Sequence, residues 1–271
     1  MNEAMLILFI FGLMVGSFLN VCIWRLPEEE QVIRGRSHCR FCSRTIRWYD
    51  NIPLISFIIL RGRCRHCRAV ISWQYPLVEL STALLFLAVA HQFGFTAKAF
   101  VYALLGAALL LVAVIDAREM IIPTEVTGPG LIAGIGLSFL FPQIQGTSHR
   151  WAALGASILG IVAGGGFLWV TAKLGGWVFR EKLKSIGEEE AMGQGDIWLM
   201  AMAGSFLGWG KVLMVNLFLA PFLGSLIGVI VKYKTRKDLI PYGPFLVAGT
   251  IIALFWGDVI IHGYQSFFIR F

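Results

Sequence analysis

The sequence predicts an all-α, polytopic membrane protein of about eight transmembrane helices, with a cysteine-rich cytoplasmic loop after the first. Three observations carry that reading. Hydrophobic residues fill 57% of the 271 positions and charged residues only 14%, with a mean hydropathy of +0.74. A soluble domain carries about 25% charged residues. The apolar excess comes as separate runs of bilayer length rather than as one core. Lysine and arginine collect in alternate connections between those runs, as a fixed orientation in a membrane requires. Those connections account for the formal charge of +7, so no nucleic-acid partner is expected.

The first run spans Met5–Trp24, with Glu3 as the only charge before it. It lacks the basic stretch of a secretion signal and exceeds the roughly 7–15-residue apolar core of one, so a retained span is expected. Further runs follow at Leu77–Phe93, Phe100–Ile115, Val126–Phe141, Trp151–Leu174, Ile197–Trp209, Val212–Val231 and Pro244–Ile261. The sixth is the shortest; it is expected to extend back through Asp196 or to be shielded by protein. With the N-terminus outside, residues 25–76, 116–125, 173–196 and 232–243 face inward and hold 10, 1, 4 and 4 Lys and Arg. Only Lys98, Arg150, Lys211 and Arg270 then lie outside. The opposite orientation inverts this asymmetry, so both termini are expected outside and the 25–76 segment in the cytoplasm.

The chain is expected to divide into residues 1–76, a span plus an Arg-rich loop, and residues 77–271, a seven-span bundle. Gly164-Gly165-Gly166 lies inside the fifth run, without the strand-to-helix context and Lys of a phosphate loop. Close helix packing or bending is the expected role.

Four of the five cysteines read Cys39-Arg40-Phe41-Cys42 and Cys64-Arg65-His66-Cys67, with 21 residues between the pairs. Two such knuckles supply four thiolates to one tetrahedral zinc, close to zinc-ribbon spacing. Disulfides are the competing reading, and a cytoplasmic loop argues against them. With four protein ligands no position stays open for water, so the zinc is expected to be structural. Arg40, Arg44, Arg63, Arg65 and Arg68 offset the net negative charge of such a centre. His38 and His66 are alternative ligands, and Cys22 is expected to pack.

Ionisable residues in spans are costly, about 2.5–3.5 kcal/mol on insertion scales, and point to function. Asp116 ends the third run and Asp196 opens the sixth within Gly193-Gln194-Gly195-Asp196. The orientation puts both at the cytoplasmic edge, at similar depth, where two helices can bring them together. One shared proton then lets one act as base towards water and the other as acid. Helix ends assign the water-activating role to Asp196 and the protonated role to Asp116. The competing reading makes both plain helix-end residues. Gly193 and Gly195 allow the close approach of an extended peptide. Asp258, at the outer end of the last run, is expected to be an interface residue.

Further motifs run along nearly the whole chain. They include Gly16-Ser17-Phe18-Leu19-Asn20-Val21, Arg25-Leu26-Pro27, Arg47-Trp48-Tyr49-Asp50-Asn51-Ile52-Pro53 and Arg61-Gly62-Arg63-Cys64. Ile71-Ser72-Trp73, Tyr75-Pro76-Leu77-Val78-Glu79, Ile115-Asp116, Ile122-Pro123 and Pro241-Tyr242-Gly243-Pro244 complete the set. Together they resemble the bacterial type IV prepilin peptidases, bifunctional leader peptidases and N-methyltransferases. The resemblance implies that Asp116 and Asp196 are the catalytic aspartates and that Cys39, Cys42, Cys64 and Cys67 form the zinc site. It implies prepilins or pseudopilins as substrates, cut after a glycine on the cytoplasmic side of the bacterial inner membrane. The new N-terminal residue is then methylated from S-adenosylmethionine. No nucleotide-binding fingerprint marks a site for that donor. Glu79 is a candidate to engage the new amine, with interface anchoring as its other reading. The chain departs from the family pattern at Trp198, often Lys, at Arg68, often Gly, and at Thr124, often acidic. A cation-coupled transporter and a silent, zinc-binding assembly scaffold are the alternative classes. The first predicts carboxylates near the bilayer midplane. The second predicts that both aspartates are dispensable.

Overall fold

A computed structural model describes residues 3–33, 35–181, 192–235 and 240–268. Arg34, Lys182, Lys184, Arg236 and Lys237, which the charge count expects to face inward, and Arg270, which it expects outside, lie beyond the described residues.

Each predicted apolar run forms a helix. The helices are α1 (Glu3–Arg25), the short α2 (Ile55–Ile59), α3 (Gln74–Phe93), α4 (Ala97–Glu119) and α5 (Thr124–Leu140). Next, α6 (Arg150–Ile161) passes through a π-helical turn, Val162–Gly166, into α7 (Phe167–Val178). Then come α8 (Gln194–Leu207) and α9 (Trp209–Met214), which passes through a second π turn, Val215–Leu219, into α10 (Ala220–Thr235). The last helix is α11 (Gly243–Phe268). Among the described residues, six helical stretches are long and apolar enough to cross a bilayer. The exceptions are α5, with 17 residues, and α8, with 14. Burial accounts for α8: every residue from Leu199 to Leu207 is shielded by protein, so its helix need not match the bilayer thickness. Several helices outrun their apolar windows, because polar residues continue a helix past the hydrocarbon edge.

The chain separates into two compact units, Met1–Leu111 and Val112–Phe271. In the first, α1 packs along α3. A Cβ on Gly12 would lie 2.6 Å from Ala83 Cα, and one on Gly16 equally close to Glu79 Cα. Only glycine lets the two backbones approach so far, and Gly12-x-x-x-Gly16 is the small-residue motif that membrane helices use for this.

In the second unit α8 is the central element, packed against α5, α6 and the first π turn. Gly160 and Gly204 meet backbone to backbone: a Cβ on either would fall 2.0–2.1 Å from the other's carbonyl oxygen. A Cβ on Gly164 would meet the Met200 carbonyl at 2.2 Å. The triple-glycine run therefore does what was expected of it: it packs closely, and it lies in a π turn. Asn216, in the second π turn, donates to the Gly164 carbonyl at 3.0 Å. Ser138, Gln145 and Ser157 all donate to the Ser205 carbonyl, at 2.9–3.1 Å. Such bonds join helices where no water is present to satisfy polar groups. Gly208, at φ +75°, ends α8 in a conformation that favours glycine.

Candidate active site and metal centre

Asp116 lies one turn before the end of α4 and Asp196 is the third residue of α8. Both are buried, at 6% and 9% exposure. The two carboxylates are close enough for the charge of Asp116 to act on Asp196. The structure thus brings together within one unit two residues 80 positions apart in sequence.

Local sequence explains each placement. Gly193 caps α8 in an extended conformation. Gly195 lets the helix start press against the Ile122 side chain, where a Cβ would come within 2.6 Å. Pro123 then starts α5 from an extended conformation. The Ile122-Pro123 pair and the Gly-x-Gly-Asp string are two sides of one contact. Trp198, which departs from the family pattern, is 46% exposed on α8.

Gly243 is the residue that sequence reasoning passed over. Its backbone N–H donates to Asp116 Oδ2 at 2.9 Å. The first N–H groups of a helix have no partner inside it, and Pro244 has none to offer, so Gly243 presents a free donor at the start of α11. A Cβ there would lie 2.6 Å from the same oxygen, so the carboxylate reaches the backbone only because the residue is glycine. The Pro241-Tyr242-Gly243-Pro244 string held the signal: a glycine between prolines at a helix start marks a backbone approach. The contact also removes the ranking by helix ends, since Asp116 closes one helix but faces the N-terminus of another. Tyr242 stands near Asp196; burial, and less strongly that carboxylate, push its hydroxyl up to about 12. It is a proton donor at any working pH.

The four cysteines Cys39, Cys42, Cys64 and Cys67 converge, their sulfurs all within 4.8 Å of one another. Cys39 and Cys67, from different knuckles, have sulfurs 3.8 Å apart. Zn–S bonds of about 2.3 Å in a tetrahedron put sulfurs about 3.8 Å apart. The loop is therefore shaped for one tetrahedral metal. Each knuckle is closed by its own turn: Ser43 N–H donates to Cys39 O, and Arg68 N–H to Cys64 O. Ser43 and Arg68 both take positive φ, at 53° and 60°. Backbone N–H groups of Cys67 and His66 aim at Cys64 and bring its thiol down to about 7. Neither histidine joins the cluster: His66 Nδ1 lies 3.2 Å from Arg44, and His38 bridges to Thr45. Asp50 clasps Arg65 with both carboxylate oxygens, and the guanidinium holds its carboxyl below the usual range.

Glu79 is buried in the first unit at 7% exposure, and Leu54 N–H donates to its Oε2 at 2.9 Å. The carboxylate thereby ties the loop to α3. Cys22 is buried, as a packing residue should be, and Asp258 pairs with Lys211 at 2.8 Å.

Comparison with known proteins divides the chain similarly. Residues 10–93 match the bacterial peptidase A24 N-terminal domain, and residues 103–229 the type IV leader peptidase family. The chain is 40% identical to a prepilin leader peptidase/N-methyltransferase of Myxococcus xanthus over 85% of its own length and 64% of that protein's. Proteins of the same description from Pseudomonas putida and Pseudomonas aeruginosa are 34% and 35% identical. Those matches cover 93% and 95% of the chain, and 90% and 92% of the relatives. No solved structure matches the chain.

Proposed function

Because the chain belongs to the type IV leader peptidase family, we propose that it is a multi-pass membrane aspartyl endopeptidase that cuts the leader from type IV prepilins or type II secretion pseudopilins. It then N-methylates the new N-terminal residue with S-adenosylmethionine. The observation that supports the peptidase reading is that Asp116 and Asp196, from two helices, are both buried and within electrostatic reach of each other, with the Gly243 N–H on Asp116 and Tyr242 close enough to feel Asp196.

The two carboxylates hold one proton between them, as like charges in one site favour. The ionised member takes a proton from water as it attacks the scissile carbonyl; the protonated member donates to the carbonyl oxygen. The Gly243 N–H keeps Asp116 oriented through its Oδ2. The substrate's apolar helix lies in the bilayer and presents the leader junction at the cytoplasmic edge of the bacterial inner membrane. The 19-to-4 division of Lys and Arg supports that orientation, with both termini outside. A cysteine replacing the exposed Phe95 should accept a membrane-impermeant label in sealed cells, and one replacing Arg61 should not; the reverse pattern overturns the sidedness.

The four cysteines hold a structural zinc that folds the loop of the 1–76 part and leaves the metal no position for substrate. The 77–271 part carries the aspartates. Neither alternative class draws support: the carboxylates sit at helix ends, and the relatives are described as peptidases. The test is purified protein incubated with a prepilin and S-adenosylmethionine, read by mass spectrometry. Cleavage after the leader glycine followed by a methyl mass gain is expected; an intact prepilin removes the reading.

A further inference from the structure

The first unit contains a cavity of about 430 Å³. It lies between the cysteine loop, the Arg25 end of α1 and the Gln74 end of α3, and its lining includes Trp24, Arg40, Asp50, Phe57, Tyr75 and Glu79. The aspartate pair uses none of these residues. The volume falls within the roughly 300–1,000 Å³ of sites for drug- and cofactor-sized ligands. We propose that this cavity binds S-adenosylmethionine and that Glu79, in its wall, receives the amine to be methylated. This rests on the methyl-transfer half of the function proposed above, and it assigns that half a site apart from the aspartates.

The chemistry of the lining selects the ligand. S-adenosylmethionine presents a flat nucleobase, a sulfonium cation, and an amino acid end with charges of both signs. Aromatic faces suit the base and the sulfonium, carboxylates suit the cations, and a guanidinium suits the carboxylate. All three kinds of group are fixed here by contacts of their own. The Arg40 guanidinium lies over the Trp24 ring, 3.3 Å from its centroid. Phe57 is braced by Trp73, with ring centroids 5.0 Å apart. Asp50 is locked by Arg65, and Glu79 by the Leu54 N–H. A cavity meant for a lipid chain gains nothing from two carboxylates in its wall, since buried charge is costly unless paired.

The reaction also calls for such a carboxylate. The α-amine freed by cleavage has a pKa near 7.7–8.0, so about a tenth or more is neutral at pH 7 and carries a usable lone pair. That pair forms the new N–C bond as the methyl C–S bond breaks and its electrons return to sulfur, leaving a neutral thioether. The ammonium product gives up one proton, which the Glu79 carboxylate accepts and passes to water. Gly16 sets the position of Glu79, because its missing side chain lets α1 lie against the Glu79 backbone.

The test uses the full chain in detergent, with S-adenosylhomocysteine as the probe in calorimetric titration. Leu60, which lines the cavity and holds no metal, is replaced by Trp to fill it. Bound metal and melting temperature report whether the fold is intact. The wild type should bind, and Leu60→Trp should bind at least tenfold more weakly. Glu79→Gln should keep its metal and its melting temperature while the methylated share of cleaved pilin falls at least a hundredfold; a methylated share within tenfold of wild type overturns that role for Glu79. A wild type that binds no probe overturns the methyl-transfer reading itself. Equal binding by an intact Leu60→Trp overturns only the cavity. Should that variant lose its metal, an azido-adenine analogue of the donor crosslinked to the wild type decides. Labelled peptides from residues 24–79 sustain the proposal, and labels confined to residues 112–271 overturn it.

Discussion

The cysteine loop and the aspartate pair are built by opposite means. In the loop, each pair of ligands sits three residues apart on a turn closed by its own backbone bonds, such as Ser43 N–H to Cys39 O. The aspartates are 80 residues apart, and each depends on distant backbone. Asp116 leans on Gly243, and Asp196 rides on a helix seated by Gly160 and Gly164. A site made of local turns is written in spacing and survives drift elsewhere. A site made by helix contact is only as accurate as its glycine seams.

The largest effect should come from the aspartates. Asp116→Asn and Asp196→Asn should each lower cleavage by about 10³-fold or more, with melting temperature nearly unchanged and the double variant little worse than either. Appreciable single-variant cleavage would mean that the pair does not act as a unit. Next is the seam beneath them. Gly204→Ala puts a Cβ 2.1 Å from the Gly160 carbonyl oxygen, backbone that cannot swing aside. Overpacking of this kind costs about 1–3 kcal/mol. Thermal melting should register the loss, and cleavage should fall with it while metal content holds. If melting is unchanged, the close approach of the helices is wrong.

For the loop, Cys39→Ser should abolish binding of about one metal ion per chain, measured by elemental analysis. Amide hydrogen exchange should then rise across residues 36–72 and stay unchanged in α8, since metal binding and loop folding are one equilibrium. Uniform destabilisation would mean that the loop supports the bundle more than its local construction implies. The smallest effect belongs to Asp50. Its folded-state pKa is depressed by Arg65, so the pair's stabilisation is present above the unfolded value near 3.9 and is lost as pH falls through the folded one. Arg65 is partly exposed, so solvent screens the pair and the effect is small. Loop exchange in Asp50→Asn should exceed wild type at pH 7, and the gap should close towards pH 3. A gap that persists in acid would assign Asp50 a role other than the ion pair.

The amino-acid sequence by itself determined the membrane class, eight apolar helices, the four converging cysteines and the two aspartates at helix ends. Each is a matter of composition, local spacing or period, and lipid enforces helix on any long apolar run. Gly12-x-x-x-Gly16 was legible too, had helix pairing been sought in the first span. Tertiary structure alone decided that α8 is buried and may therefore be short. It also decided that Gly195 faces Ile122, that Glu79 holds Leu54, and that Gly243 holds Asp116. Those facts turn on which helix lies against which, and apolar periodicity says little about that inside a bilayer, where every face is hydrophobic. The proton on the aspartate pair shows the limit most plainly. Helix ends read from sequence favoured Asp116, until the fold set the N-terminus of α11 against the same carboxylate.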